Sequence, residues 1–218
     1  MEFIQPIAQS FQAPSLEPVI ERLHDFFSLG WRAHKREIAG CLQELRNGHR
    51  ALRALIHEHT EADREPRLRG AQSFLLEYND AFAIRINLWP AKSFLAEVNP
   101  RYRRYLSIDE MHNHDFDFFT ISLSGPGYES RFFKDRDFNP DLTRGDKLDL
   151  EPLGMVALSG SQVLFVNRFT DYHSQQWPVS FTTTLNLIPR ENPAMRVQYV
   201  VDETNHLVRD VIRGSIDV

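Results

Sequence analysis

The sequence predicts a mainly β protein with a helical N-terminal third, an α+β class in which an antiparallel barrel or sandwich follows a few short helices. Three observations predict it. Apolar residues recur at helical spacing up to about residue 60, and a polar stretch with charges crowded around Pro66 follows. Beyond that stretch the periodicity changes to the alternation expected of a sheet. Many short strand-like runs separated by Gly, Pro, Asn and Asp then favour an antiparallel architecture. The implied division is a helical segment over residues 1–70 and a β domain over residues 71–218.

In chain order, Ser15 can cap a helix in which Leu16, Val19, Ile20, Leu23 and Phe27 form a stripe, and Gly30 closes it. A second helix from Trp31 to about Arg46 carries Ile38, Cys41, Leu42 and Leu45, and Asn47-Gly48 ends it. His49 to about Glu61 repeats the pattern with Leu52, Leu55 and Ile56. These stripes read as packing faces. Three short amphipathic helices have little core of their own, so they are expected to pack on the barrel, with a homodimer interface or the docking of a carrier protein as alternative roles. Ser73–Tyr78 and Ala81–Leu88 read as a hairpin turned by Asn79-Asp80. In its second strand Phe82, Ile84, Ile86 and Leu88 share one face, and Ala83, Arg85 and Asn87 share the other. If the polar face looks inward, Arg85 and Asn87 line a site. Further strands are expected at Asp115–Ser124, Tyr128–Phe133, Gly154–Leu158, Gln162–Asn167, Ser180–Ile188 and Met195–Val201. Ser124-Gly125-Pro126-Gly127 reads as a hairpin turn, and the polar stretch Phe138–Leu150 as a loop between two halves of the barrel.

Composition excludes several classes. Hydrophobic content is 42% and no apolar run approaches a membrane span, which predicts a soluble protein without membrane contact. Met-Glu-Phe-Ile-Gln-Pro lacks the pattern of a signal peptide, and a single cysteine, Cys41, cannot form an internal disulfide. Both point to the cytoplasm. A net charge of −5 argues against nucleic acid as a partner and leaves a small molecule. Sixteen Phe residues point to an aromatic-lined core or pocket. Cys41 sits on a helix face, no G-x-S-x-G elbow occurs, and no glycine-rich phosphate loop is visible, so nucleophilic and phosphate chemistries find little support.

Nine histidines are present, and geometry sets most of them aside. His57 and His59 stand two apart, but on a helix that step subtends about 200° and the rings diverge. His24, His34 and His49 lie on helices without a partner one turn on, and His206 falls in a turn-like stretch. His112 and His114 differ. On a strand a two-residue step puts both imidazoles on one face, where they can share a metal ion. Phe116, Phe118, Thr120 and Ser122 have the same parity and point with them. Asp115, Asp117, Phe119, Ile121 and Leu123 point to the opposite face.

Counting on from His114 gives H-x-H-x3-Phe118-x6-Gly125, which resembles the first motif of the cupin superfamily with Phe118 in place of the usual glutamate. Gly160 to His173 resembles the second cupin motif. It keeps a glycine turn, an apolar strand and a terminal histidine, but the interval is two residues longer, the Pro and second Gly are absent, and Trp177 stands at the Asn position. The resemblance runs from about Ser73 to Val201. It implies a double-stranded β-helix barrel covered by the short N-terminal helices, with a metal held by His112, His114 and His173 and no carboxylate. Asp117 has the wrong parity to replace the acid unless a bulge turns it inward, and Asp115 is its neighbouring alternative.

Three neutral imidazoles suit Fe(II) first, with Cu, Ni and Zn as competitors. The pattern looks like that of the cysteine dioxygenase group and other three-histidine iron oxygenases. That likeness implies an enzyme using dioxygen on a small polar substrate such as an amino acid or a related acid. Two departures weaken a thiol substrate: no cysteine lies near the pair, and Thr182 to Ile188 holds no Tyr or His. No catalytic acid or base is assigned. A substrate anion needs a cation, and Arg85, Arg131 and Arg168 lie on or beside strands, with Arg85 foremost because it interrupts an apolar strand. Asn87 stands beside it, and Phe116, Phe118 and Phe165 supply an apolar wall. Asp115, Asp171 and Tyr172 are the candidates to orient the histidines. The alternative is a non-redox cupin, either a metal-dependent isomerase or lyase or a small-molecule binding module.

Overall fold

Two antiparallel six-stranded sheets and two helices account for the elements of the computed structural model, which describes residues 1–7, 17–48, 72–97, 108–191 and 196–214. The expected cap at Ser15, the third helix from His49 and the polar stretch Thr60–Gly70 lie outside the described residues. The strands are β1 (Glu2–Ile4), β2 (Ser73–Tyr78), β3 (Phe82–Trp89), β4 (Met111–His112), β5 (Phe118–Ser124), β6 (Tyr128–Asp135), β7 (Leu150–Leu158), β8 (Val163–Val166), β9 (Asp171–Gln175), β10 (Thr182–Pro189), β11 (Val197–Val201) and β12 (Val208–Arg213). One sheet runs β1-β8-β5-β10-β3-β2 and the other β12-β11-β4-β9-β6-β7.

The strand order defines the architecture. From β3 to β10 the chain alternates between the sheets at every step except the hairpin β6–β7, so that β3-β10-β5-β8 faces β4-β9-β6-β7. This is the double-sheet jelly roll, or double-stranded β-helix, whose two Greek keys enclose one interior. Leu75, Ala83, Trp89, Phe118, Leu164, Val166 and Ile188 from the first sheet meet Tyr128, Phe132 and Leu158 from the second in that interior.

The outer face of the first sheet is covered by α1 (Glu17–Ser28) and α2 (Lys35–Asn47), with a single 3-10 turn at Trp31–His34 between them. Gly30, at φ 96°, lets the chain turn from one helix to the next. Val19, Leu23, Ile38, Leu42 and Leu45 are buried against Phe82, Ile84, Ile86, Phe119, Ile121 and Phe165. Each such side chain contributes ~2 kcal/mol on burial, so the helices are stable here and would be marginal as isolated segments. The N-terminal segment also gives a strand, because β1 pairs with β8. A third cluster, built from Met111, Phe133, Leu150, Tyr172, Tyr199 and Val208, covers the outer face of the second sheet.

Two expectations change. The stretch Phe138–Leu150 joins two neighbouring strands, β6 and β7, and its Phe138, Leu142 and Leu148 pack in that third cluster. Ser124–Gly127 is a corner between the sheets and not a hairpin turn, since β5 and β6 belong to different sheets. Gly125 and Gly127 adopt φ 80° and 86°, and a Cβ on Gly127 would lie 1.8 Å from the Leu158 carbonyl oxygen. Gly127→Ala is therefore expected to cost at least ~2 kcal/mol in urea unfolding, through strain and backbone overlap together. Gly160→Ala, at φ 60° in open space, should cost only about 1 kcal/mol.

Candidate metal centre

His112 and His173 are brought together by the ladder itself, because β4 pairs with β9 with these two residues opposite each other. The chain leaves regular strand after His112, so His114 is placed by other means. Asn113 anchors the irregular stretch: its Nδ2 donates to the Phe169 carbonyl at 2.9 Å, and its Oδ1 accepts from the Tyr199 amide at 2.7 Å. The Phe169 amide donates to the His114 carbonyl at 2.7 Å. Strand alternation resumes at Phe118, whose ring stands edge-on to His114 with centroids 5.1 Å apart.

One ligand nitrogen from each of His112, His114 and His173 lies within 4.8 Å of the others. Nε2 of His114 and Nε2 of His173 are 3.0 Å apart. That spacing matches the edge between two nitrogens sharing a metal at about 2.1 Å, and three nitrogen donors suit a divalent transition ion. Burial holds all three imidazoles below their usual pKa, His114 and His173 strongly so. The cation Arg85 lowers His112 and His114 further. They are thus neutral at physiological pH, the state in which imidazole binds metal. Nδ1 of His112 donates to the Glu110 carbonyl at 2.9 Å, which leaves its Nε2 lone pair free. The Gln175 amide lies 3.1 Å from Nδ1 of His173.

The two carboxylates left open by the sequence stay out of this group. Asp115 accepts from Gln198 at 2.8 Å, and Asp117 accepts from Arg32 at 2.9 Å and from the Arg168 amide at 2.8 Å. None of the three side chains expected to orient the histidines does so. Asp171 is taken by Lys134 and Asn167, and Tyr172 has the opposite parity to His173 and lies in the outer cluster. The Glu110 carbonyl and Gln175 touch the rings instead. Gln175 carried a sequence signal, since it stands two residues beyond His173 on a strand, whereas a backbone carbonyl left none.

Of the other predicted side chains, Arg85, Asn87, Phe116 and Phe118 come to the interior. The polar face of β3 looks inward, because Phe82, Ile84 and Ile86 are claimed by the helices while Ala83 and Trp89 belong to the interior cluster. Asn87 accepts a hydrogen bond from Ser73 at 2.9 Å. Arg85 makes no ion pair among the described residues, and its Nε is buried without an acceptor. Burial pushes its pKa down to about 10, so it remains a cation at neutral pH. Phe116 lies with its ring centroid 4.7 Å from that of His114 and 5.7 Å from the Arg85 guanidinium carbon. Nδ1 of His114, Oγ of Ser130 and Oε1 of Gln175 are also buried without partners, the mark of convergent polar groups in a binding site.

Three predicted residues go elsewhere. Arg131 alternates outward between the inward Ser130 and Phe132 and pairs with Glu203 on the surface. Arg168 lies beyond the end of β8, where Glu191 holds its Nη1 at 2.9 Å. Phe165 has the parity of Phe119 and packs under the helices against Trp31, with centroids 5.8 Å apart. Cys41 is buried between helices and sheet, where desolvation raises its thiol to about 11 and leaves it unreactive.

No protein-family model matches the chain, and no curated protein matches it. Among solved structures it is similar to hydroquinone 1,2-dioxygenase from Sphingomonas sp. TTNP3 with 4-hydroxybenzoate bound, at 9% identity and TM-score 0.38 over 62% of this chain and 72% of that one. It is also similar to DMSP lyases RdDddP and RnDddQII, at 13% identity and TM-score 0.32 over 56% of this chain and 52% of that one. A cupin domain from Bordetella pertussis Tohama I matches at 6% identity and TM-score 0.29 over 56% of this chain and 95% of that one. The strand order, and not these resemblances, carries the fold assignment. Among the described residues no helix is long and apolar enough to cross a membrane.

The depressed histidines set a pH dependence. A histidine with a lowered folded pKa binds fewer protons folded than unfolded below about pH 6.5. Metal-free protein should therefore keep the full contribution of these three groups above pH 6.5 and lose it as pH falls through the folded values. Urea midpoints measured from pH 8 to pH 5 should decline over that lower range, and less so in His114→Gln.

Proposed function

We propose that the protein is a metal-dependent cupin oxygenase, with Fe(II) held by His112, His114 and His173, that acts with dioxygen on a small organic acid. The carrying observation is the cluster of three neutral imidazoles inside a barrel, without a carboxylate among them. Bound iron(II) supplies a redox-active Lewis acid able to activate dioxygen beside a coordinated substrate. His112, His114 and His173 would hold the ion and would leave it able to take small molecules as well.

The chain's own residues have separable roles in this reading. The Glu110 carbonyl fixes the tautomer of His112, so that its Nε2 presents a lone pair to the ion, and the Gln175 amide packs against the His173 ring. Phe116, Phe118 and Phe132 exclude water and stiffen the imidazoles through ring contacts, edge-on from Phe118 and tilted from the other two. Arg85 receives the substrate anion, and Asn87 supports that wall. An intracellular, cytoplasmic setting fits a reduced metal and a single buried thiol.

Elemental analysis tests the centre. One metal ion per chain is expected, and it should disappear in His112→Ala combined with His173→Ala. Gln175→Leu should retain the fold and lower metal affinity by about 10–100-fold, as measured by competition with a chromogenic chelator. Oxygen consumption tests the chemistry: turnover by iron-loaded protein should stop without dioxygen, and equal anaerobic turnover would instead establish a Lewis-acid isomerase or lyase.

A further inference from the structure

The charges around the histidine cluster are lopsided. Arg85 makes no ion pair among the described residues, its Nε is buried without an acceptor, and no carboxylate is among its electrostatic neighbours. Asp115 and Asp117 are taken up by Gln198 and Arg32. Asp171 has the parity of His173 but is already satisfied by Lys134 at 2.8 Å and by the Met1 amino group at 2.5 Å. The electrostatic neighbours of the three histidines are one another and Arg85, with no acid among them. A substrate anion would be matched here, and a substrate ammonium group would stay unpaired beside a like charge.

The apolar walls are aromatic. Phe116 is half-buried and lies between the Arg85 guanidinium at 5.7 Å and the His114 ring at 4.7 Å. Phe118 lies 6.1 Å from Phe116, Phe132 lies 5.3 Å from His173, and Trp89 and Tyr128 pack 4.7 Å apart in the same interior. Arg85, His112, His114 and Phe116 all retain accessible surface, while their neighbours Phe118, Phe132 and His173 are fully buried. A cation, a phenyl face and imidazoles thus adjoin one another where the interior keeps accessible surface.

We propose that the site takes an aromatic carboxylic acid without an ammonium group, its carboxylate on Arg85 and its ring against Phe116, so that amino acids are poor ligands. This deepens the oxygenase reading and rests on it for the substrate's role, but binding can be measured separately from metal content. The fork of Arg85 matches a carboxylate in geometry and charge. Offset or edge contacts with Phe116 and Phe118 reward a planar ring.

Isothermal titration of the full chain with 3-phenylpropanoate, phenylalanine and propanoate tests this, with metal content determined on the same samples before and after chelator treatment. The first and second differ only by the ammonium group, and the first and third only by the ring. At least tenfold tighter binding of 3-phenylpropanoate than of either other probe is expected. Arg85→Met should weaken it at least tenfold, and Arg85→Lys less. Equal or tighter binding of phenylalanine or of propanoate, or no binding of 3-phenylpropanoate, overturns the proposal. If Arg85→Met does not fold, the three probes on the unsubstituted protein decide. Intact 3-phenylpropanoate binding by a chain that takes up no metal overturns the oxygenase reading alone.

Discussion

The burial of the first sheet on both faces is the constraint from which the rest follows. Its outer face must be apolar to hold α1 and α2, and Phe82, Ile84, Ile86, Phe119, Ile121 and Phe165 meet that demand. Strand alternation then sends every second residue inward, and those residues are Ala83, Arg85, Asn87, Phe118, Thr120 and Ser122. A slip of one residue would put Arg85 under the helices and phenyl groups in the pocket. The helices therefore fix the register of the functional wall without touching it.

Desolvation does the second half of the work. The same enclosure that stabilises the barrel makes a charged imidazole costly, so His112, His114 and His173 are held neutral and ready to donate lone pairs. Arg85 stays charged in that setting and raises the potential around them. Polar groups elsewhere in the interior are mostly paired, as in Thr120 to Asn186 at 2.8 Å and Trp89 to Thr184 at 3.0 Å. Of the buried side-chain atoms without a partner, His114 Nδ1, Arg85 Nε, Ser130 Oγ and Gln175 Oε1 belong to inward-facing residues of the histidine-bearing barrel, and Glu44 Oε1, Asp135 Oδ2, Tyr172 Oη and Ser174 Oγ lie elsewhere.

The helical third has a structural part in the same site. Arg32, in the 3-10 turn, binds Asp117 at 2.9 Å, and Asp117 also accepts from the Arg168 amide at 2.8 Å. Asp117 lies three residues beyond His114, so this contact ties the irregular stretch that carries His114 to the N-terminal elements. Arg168, which reads from sequence as a substrate cation, serves in that clasp through Glu191.

Much of this protein was legible from residue order alone. Period-3.6 and period-2 patterns located both described helices and most of the longer strands, though only the second half of β7 and neither β9 nor β12, since each pattern records which side a neighbour must cover. Parity grouped Phe118 with the histidine pair and set Asp117 apart, an arrangement the structure reaches through the irregular residues 113–117 and not along one continuous strand. Spacing could not reveal β4, two residues long, or the turn from strand to irregular chain at Asn113, because those depend on hydrogen bonds to Phe169 and Tyr199 far along the sequence. It ranked Arg85 ahead of Arg131 and Arg168, but it could not show that Glu203 and Glu191 hold the other two. Sequence determined which residues could share a face, through the fixed geometry of the backbone. Only the tertiary structure decided which face was inside, because that depends on which surface the helices cover and which acids outside the barrel capture the competing arginines.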